Sequence, residues 1–250
     1  MLIEKFDLST PIIIPNWTNH KQIGAFFTTR DGDPKAHSTI GDFLKNSPDL
    51  KKIIAPRWLE QTHSASAHRL TKSSKGLHGD ALWTAERGLP CAIKVADCVP
   101  ILLRDSKGTE VSAIHAGWKG LLAGIIENSV GIFHSHPSNI EAWIGPSISV
   151  SAYPVGLEIL EKFCSKNTIH AQHFHLYEKT LHFDIREAVK NTLFRTGITN
   201  ISETVRCVYS EKSSFYSVRR EKTDKRMAAV IWLNSKTLKK NISYTVLLEK

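Results

Sequence analysis

The sequence has few cysteines and few methionines, four and two in 250 residues, and it has no Cys-x-x-Cys pair. Cysteines at 91, 98, 164 and 207 are too sparse for a disulfide framework, which argues for a reducing, cytoplasmic setting. Long apolar runs are also missing. The most apolar stretch, Leu89 to Leu103, is interrupted by Lys94 and Asp97, short of the ~20 uncharged residues of a spanning helix, so no membrane segment is expected. Met1 to Asp7 carries Glu4 and Lys5 and no apolar signal core. No repeat, low-complexity tract or linker-like stretch divides the chain, so one domain over residues 1–250 is the simplest organisation. Basic residues exceed acidic ones by nine, yet they are scattered, with small clusters at Arg219–Arg220 and Lys239–Lys240 and no run of five. That pattern favours a small anionic substrate over a nucleic-acid partner.

What is present is a sizeable apolar fraction, 41%, arranged in alternating and continuous runs. Strands are expected near Gln22–Thr28, Ala81–Thr84, Cys91–Ala96, Val99–Leu103, Glu110–Ile114, Ile140–Ile144 and Met227–Leu233. Asp105-Ser106-Lys107-Gly108 reads as a hairpin turn. Helical spacing after Gly120 predicts one helix ending near His134, and Val155–Phe163 and Ile185–Phe194 read as helices. Mixed elements of this kind make an α/β or α+β domain.

Three segments place a metal ligand beside a turn at the end of an apolar element: Gln61-Thr62-His63, Asp97-Cys98-Val99-Pro100 and His115-Ala116-Gly117-Trp118. Two imidazoles and a thiolate with a fourth position left open suit catalytic zinc. Cys98 and His115 fall on what read as adjacent hairpin strands, and spacing alone does not bring His63 to them. The same pair also suits a metal-free nucleophile, with His115 lowering the pKa of the Cys98 thiol. Asp97 and Gln61 are candidates for handling protons, and Asp97 equally for orienting His63 or His115 through a ring nitrogen. His134 and His136 are placed at a helix end, where they answer exposed carbonyls. His170, His173, His175 and His182 read as a solvated group, with His173 and His175 on one face of a strand. Trp17, Trp58, Trp143 and Trp232 read as core, and Trp118 as core or a stacking platform.

The boxes Gln61-Thr62-His63, Asp80-Ala81-Leu82-Trp83-Thr84, Val95-Ala96-Asp97-Cys98-Val99-Pro100, His115-Ala116-Gly117-Trp118-Lys119-Gly120 and Phe215-Tyr216-Ser217-Val218-Arg219-Arg220 resemble those of the bacterial laccase-domain family. That family is also called multicopper polyphenol oxidoreductase and purine nucleoside phosphorylase. The resemblance implies a single α/β domain of layered mixed sheets flanked by helices, similar to the cysteine-deamidase domain of a bacterial cytotoxic necrotizing toxin. It implies His63, Cys98 and His115 as ligands of zinc, with copper as the alternative metal. It further implies phosphorolysis of adenosine, inosine, guanosine and methylthioadenosine by a monomer or homodimer, with adenosine deamination as an added activity. Arg30, matching a Ser/Thr-Thr-Arg box, and Arg219, in the Tyr-Arg-Arg box, become candidates to hold phosphate. Copper-dependent phenol oxidation and metal-free amide hydrolysis by Cys98 and His115 remain the competing activities. The chain departs from the family pattern at Ala36–Asp42, where the loop is shorter, and at Ser64, Lys119 and Pro154.

Overall fold

A computed structural model describes residues 12–17, 22–30 and 56–234. The shortened loop at Ala36–Asp42, the chain start and the Lys239–Lys240 cluster lie outside the described residues. Two sheets form the framework. The first runs in the order β1 (Ile12–Ile13), β2 (Ile23–Thr28), β13 (Met227–Leu233), β6 (Cys91–Val95) and β3 (Arg57–Trp58). The second runs β12 (Asn200–Glu203), β9 (Ile140–Ile144), β7 (Val99–Asp105), β8 (Val111–Ala116), β5 (Ala81–Thr84) and β4 (Ala67–Arg69). Neighbours are antiparallel except for β3 with β6, β4 with β5 and β12 with β9, each a parallel pair at a sheet edge.

Strands β6 and β13 lie against β7 and β8, so the two sheets pack face to face. The far face of the second sheet is covered by helices α1 (Trp118–Ala123), α2 (Ile125–Gly131) and α4 (Ile185–Arg195), with α3 (Leu157–Lys166) alongside. Strands β7, β8 and β13 are buried at every residue, so Val99–Leu103 and Met227–Leu233 read as continuous apolar runs rather than alternating ones. Each fully buried aliphatic side chain in this layer contributes about 1.5–3 kcal/mol relative to exposure.

The β7–β8 hairpin closes where expected, the Gly108 amide donating to the Asp105 carbonyl at 3.1 Å. The Asp105 carboxylate accepts from the Thr109 amide at 2.6 Å and the Glu110 amide at 2.8 Å, locking the turn. The helix expected from Gly120 to His134 is instead two short helices, because Gly124 adopts φ 97° and ψ 31°. A left-handed residue ends one helix and redirects the next, an option periodicity does not reveal. The second of these helices stops at Gly131, so His134 is not at its end. The His134 amide and ring instead face the buried Glu110 carboxylate, at 2.8 and 3.3 Å, while His136 caps a 3-10 turn at Pro137–Asn139.

The later histidines also depart from expectation. His173 is buried at 2% exposure and ends a 3-10 segment, Thr168–His173, so it does not share a strand face with His175. Only His175 belongs to the following β10 (Phe174–Tyr177), which pairs with β11 (Thr180–Phe183). Trp143 and Trp232 are core residues as expected, whereas Trp17, Trp58 and Trp118 are half-buried. The Trp118 ring lies between the Lys119 and Lys162 ammonium groups, 5.7 and 5.5 Å from its centroid.

Candidate metal centre

The antiparallel register pairs Pro100 with His115 and Val99 with Ala116. Extending it by one residue sets Cys98 opposite Gly117, on the same face as His115 and diagonal to it. The third side chain comes from a distant loop, in which the His63 amide donates to Asp80 Oδ1 at 3.1 Å and the Ser64 amide to Asp80 Oδ2 at 2.6 Å. The ligand atoms of His63, Cys98 and His115 consequently all lie within 4.8 Å of one another. His115 is buried, Cys98 half-buried and His63 exposed, so the centre grades from core to solvent.

Asp80 is the residue the sequence reading undervalued. It is fully buried at the start of β5, and besides the loop amides it accepts from the Ser64 hydroxyl at 2.9 Å and pairs with His115 Nδ1 at 2.8 Å. The Asp80 carbonyl also accepts from the His115 amide at 2.7 Å. One carboxylate thus fixes the backbone around His63 and the ring of His115, leaving Nε2 of His115 to face Cys98. Burial alone would raise the Asp80 pKa, but the donors on His115 and Ser64 outweigh it and hold the carboxyl well below its usual range. Asp80 stands in a box quoted for its family resemblance, although nothing in its spacing assigns it a partner.

The same register explains two glycines. A Cβ on Gly117 would sit 2.9 Å from His63 Cδ2 and 3.1 Å from Cys98 Sγ, and one on Gly120 would sit 2.9 Å from the Ser64 carbonyl. Only a residue without a side chain lets the start of α1 come this close to the donors. Backbone strain gathers here as well: His63 has φ 57° and Asp97 φ 98°. Such conformations cost non-glycine residues about 1–3 kcal/mol and cluster at functional sites.

Burial would raise the Cys98 thiol pKa, yet the His115 charge and hydrogen bonds from His115 and His63 bring it down to about 6. Burial would lower that of His115, but the Cys98 thiolate and the Asp80 hydrogen bond raise it to about 9. The two shifts are coupled, each group favouring the charged form of the other, which suits the thiol to act as nucleophile or ligand.

The remaining site candidates fall as follows. Asp97 does not touch either histidine, which corrects the expected orienting role. Its carboxylate accepts from the Ser217 hydroxyl at 2.6 Å and the Arg219 amide at 2.8 Å, tying the short helix α5 (Val218–Glu221) to the residue before Cys98. The Gln61 side chain bridges to β6, its NH2 group donating to the Lys94 carbonyl and its oxygen accepting from the Lys94 amide, both at 2.8 Å. Arg30 is paired with Glu221 at 2.8 Å and lies 4.5 Å above the Tyr216 ring. Arg219 donates to the Pro154 carbonyl at 3.3 Å and lies 5.2 Å from the Tyr153 ring.

A sheet-on-sheet α/β fold carrying a His-Cys-His centre oriented by a buried carboxylate defines the class. Within that class the chain belongs to the multi-copper polyphenol oxidoreductase laccase family, whose model matches residues 44–234. It is 35% identical over 239 residues to purine nucleoside phosphorylase YfiH of Escherichia coli strain K12, covering 89% of this chain and 98% of that protein. It is 34% identical to a purine nucleoside phosphorylase of Haemophilus influenzae, with 88% and 98% covered. Among solved structures, a Neisseria meningitidis protein superposes with a TM-score of 0.81 at 25% identity, covering 90% of this chain and 99% of the other. A Bacillus licheniformis YfiH structure gives 0.78, also at 25% identity, with 92% and 99% covered. Among the described residues no helix is long and apolar enough to cross a membrane.

Proposed function

We propose that this chain, working as one catalytic domain over residues 1–250, is a zinc-dependent purine nucleoside phosphorylase, and that it also deaminates adenosine. The observation that carries the proposal is the convergence of His63, Cys98 and His115 within 4.8 Å, with Asp80 on the unused nitrogen of His115. The relatives' names supply the substrate class. Two imidazoles and a thiolate within 4.8 Å of one another fit zinc, which His63, Cys98 and His115 would hold. When bound, the metal supplies Lewis-acid polarisation of an oxygen at its open position. Copper would bind the same donors more tightly by intrinsic affinity.

The chain's own residues then divide the work. Asp80 keeps a proton on His115 Nδ1 and so presents Nε2. Asp97 and Ser217 hold Arg219 at the site edge, where its guanidinium can face an incoming phosphate. A phosphate oxygen forms the bond to the ribose anomeric carbon as the carbon–nitrogen bond to the purine breaks. The purine departs with the electron pair and takes up a proton.

Metal-assayed protein incubated with adenosine or inosine, with and without phosphate, tests this by chromatography. Phosphate-dependent release of adenine or hypoxanthine, lost in Cys98→Ser, is the expected result, and inosine formed from adenosine without phosphate marks deamination. No conversion by folded, zinc-loaded protein overturns the reading. Because His115 and His63 lower the Cys98 pKa, metal-free amide hydrolysis is the second reading, and activity surviving chelation but lost on alkylation of Cys98 would favour it. Oxygen uptake with a phenol, scaled to bound copper, is the result that would restore phenol oxidation.

A further inference from the structure

Behind the second sheet, on the helical side, lies a second cavity of about 230 Å³, framed by α1, α2, α3, the 3-10 segment at Thr168–His173 and α4. Its floor is apolar, from Leu121 and Phe163, and its wall is charged. Lys166, His170 and Arg195 bring three cation-capable groups to it, and Glu127 one carboxylate. The His170 Nδ1 atom is buried and has no hydrogen-bond partner, an uncommon condition for a polar atom beside a polar cavity. Lys166 spends one of its three ammonium protons on the Leu122 carbonyl at 2.6 Å, leaving two. At ~30 Å³ per water the space equals about seven or eight waters.

The geometry points to a second ligand site here, for a small hydroxylated phosphate monoester, that is, a sugar phosphate. Lys166, Arg195 and His170 receive the phosphate, and Glu127 accepts from a sugar hydroxyl. The mixture of signs is what selects this class. A bare anion would have to face Glu127 unpaired, whereas a neutral sugar would leave the cations unanswered. Burial and the Arg195 and Lys166 charges, opposed by Glu127, lower the His170 pKa. The site shares no side chain with the His-Cys-His centre and stands whether or not the proposed reaction is correct.

The test is ring NMR of histidine-labelled full-length protein titrated with ribose 5-phosphate, inorganic phosphate and ribose, each to about 10 mM. A saturable shift of the His170 resonances with ribose 5-phosphate is expected, with affinity at least fivefold weaker for inorganic phosphate and no shift with ribose. Arg195→Gln should abolish the response, and Glu127→Gln should weaken ribose 5-phosphate without weakening phosphate. Arg219→Ala, which removes no residue lining the cavity, should leave it intact. Arg195 is exposed, so folding should survive its replacement, and Lys166→Gln provides an independent variant with the same expectation. No His170 shift at 10 mM overturns the proposal, as does a shift that persists in both Arg195→Gln and Lys166→Gln. Equal affinity for phosphate and ribose 5-phosphate overturns the sugar assignment.

Discussion

Two histidine-rich regions of this chain have different outcomes. His63 and His115 meet Cys98 at the open end of the β7–β8 hairpin, with ring centroids 4.9 Å apart. His170, His173, His175 and His182 are denser in sequence, but they pack against aromatic rings, His170 on Phe163 at 5.5 Å and His182 beside Tyr177 at 5.1 Å. The His115 pKa is pushed up by a thiolate and a carboxylate, whereas those of His170 and His173 are pushed down by burial. Ligand count does not separate the two regions. A buried carboxylate that occupies one ring nitrogen and aims the other does.

Removing that carboxylate should break the contrast most severely. Asp80→Ala leaves His115 and two loop amides without their acceptor, so a loss of about 3–5 kcal/mol and roughly 10 °C in Tm is expected. Zinc affinity should fall about 100-fold, measured by competition with a chelator. An unchanged affinity would show that Asp80 does not organise the donors. Gly117→Ala comes next. Its methyl group displaces His63 and Cys98 rather than the core, so turnover should drop about 100-fold with a Tm change of only a few degrees. Equal loss of turnover and of fold would contradict this account.

The third prediction concerns protons. Cys98 ionises near 6, so its alkylation by iodoacetamide in metal-free protein should fall about tenfold per unit below pH 6 and level off above it. Stability should not follow that profile. The depressed Cys98 value adds stability above the unfolded thiol value and loses it as pH falls through about 6. The raised His115 value adds stability below about 6.5 and loses it as pH rises through about 9, so the two slopes nearly cancel between 6.5 and 9. Zinc uptake at pH 7.5 should release close to one proton, from His115, read by calorimetry in buffers of different ionisation enthalpy. The smallest effect belongs to the other region. His173→Phe removes a buried Nδ1 that has no partner and should shift stability by less than about 1 kcal/mol, with zinc content unchanged.

These contrasts show which features the sequence could disclose. Strands β5, β9 and β13 were legible residue for residue, β13 because all seven of its residues are apolar and buried. The Asp105–Gly108 turn was legible from its glycine, and Cys98 with His115 followed from the hairpin. His63 came from resemblance alone, since a loop on the far side of a parallel edge pair has no periodic signature. Asp80 escaped notice for the same reason, its partners being 16 to 35 residues away. The break at Gly124 was hidden because apolar spacing continues across it.

The β7–β8 hairpin carries one more consequence, for chain length. Its turn lies seven residues from Cys98, roughly 24 Å along the strand. Facing alternates with each residue, so a slip of one position in either strand turns Cys98 and His115 to opposite sides of the sheet, although every local contact type survives. Insertions that preserve the centre must therefore fall outside this hairpin, or enter both strands together and leave the parity of each intact. Arithmetic modulo two, fixed at a surface turn, thus constrains how this chain can grow or shrink in descent while keeping three distant residues in company.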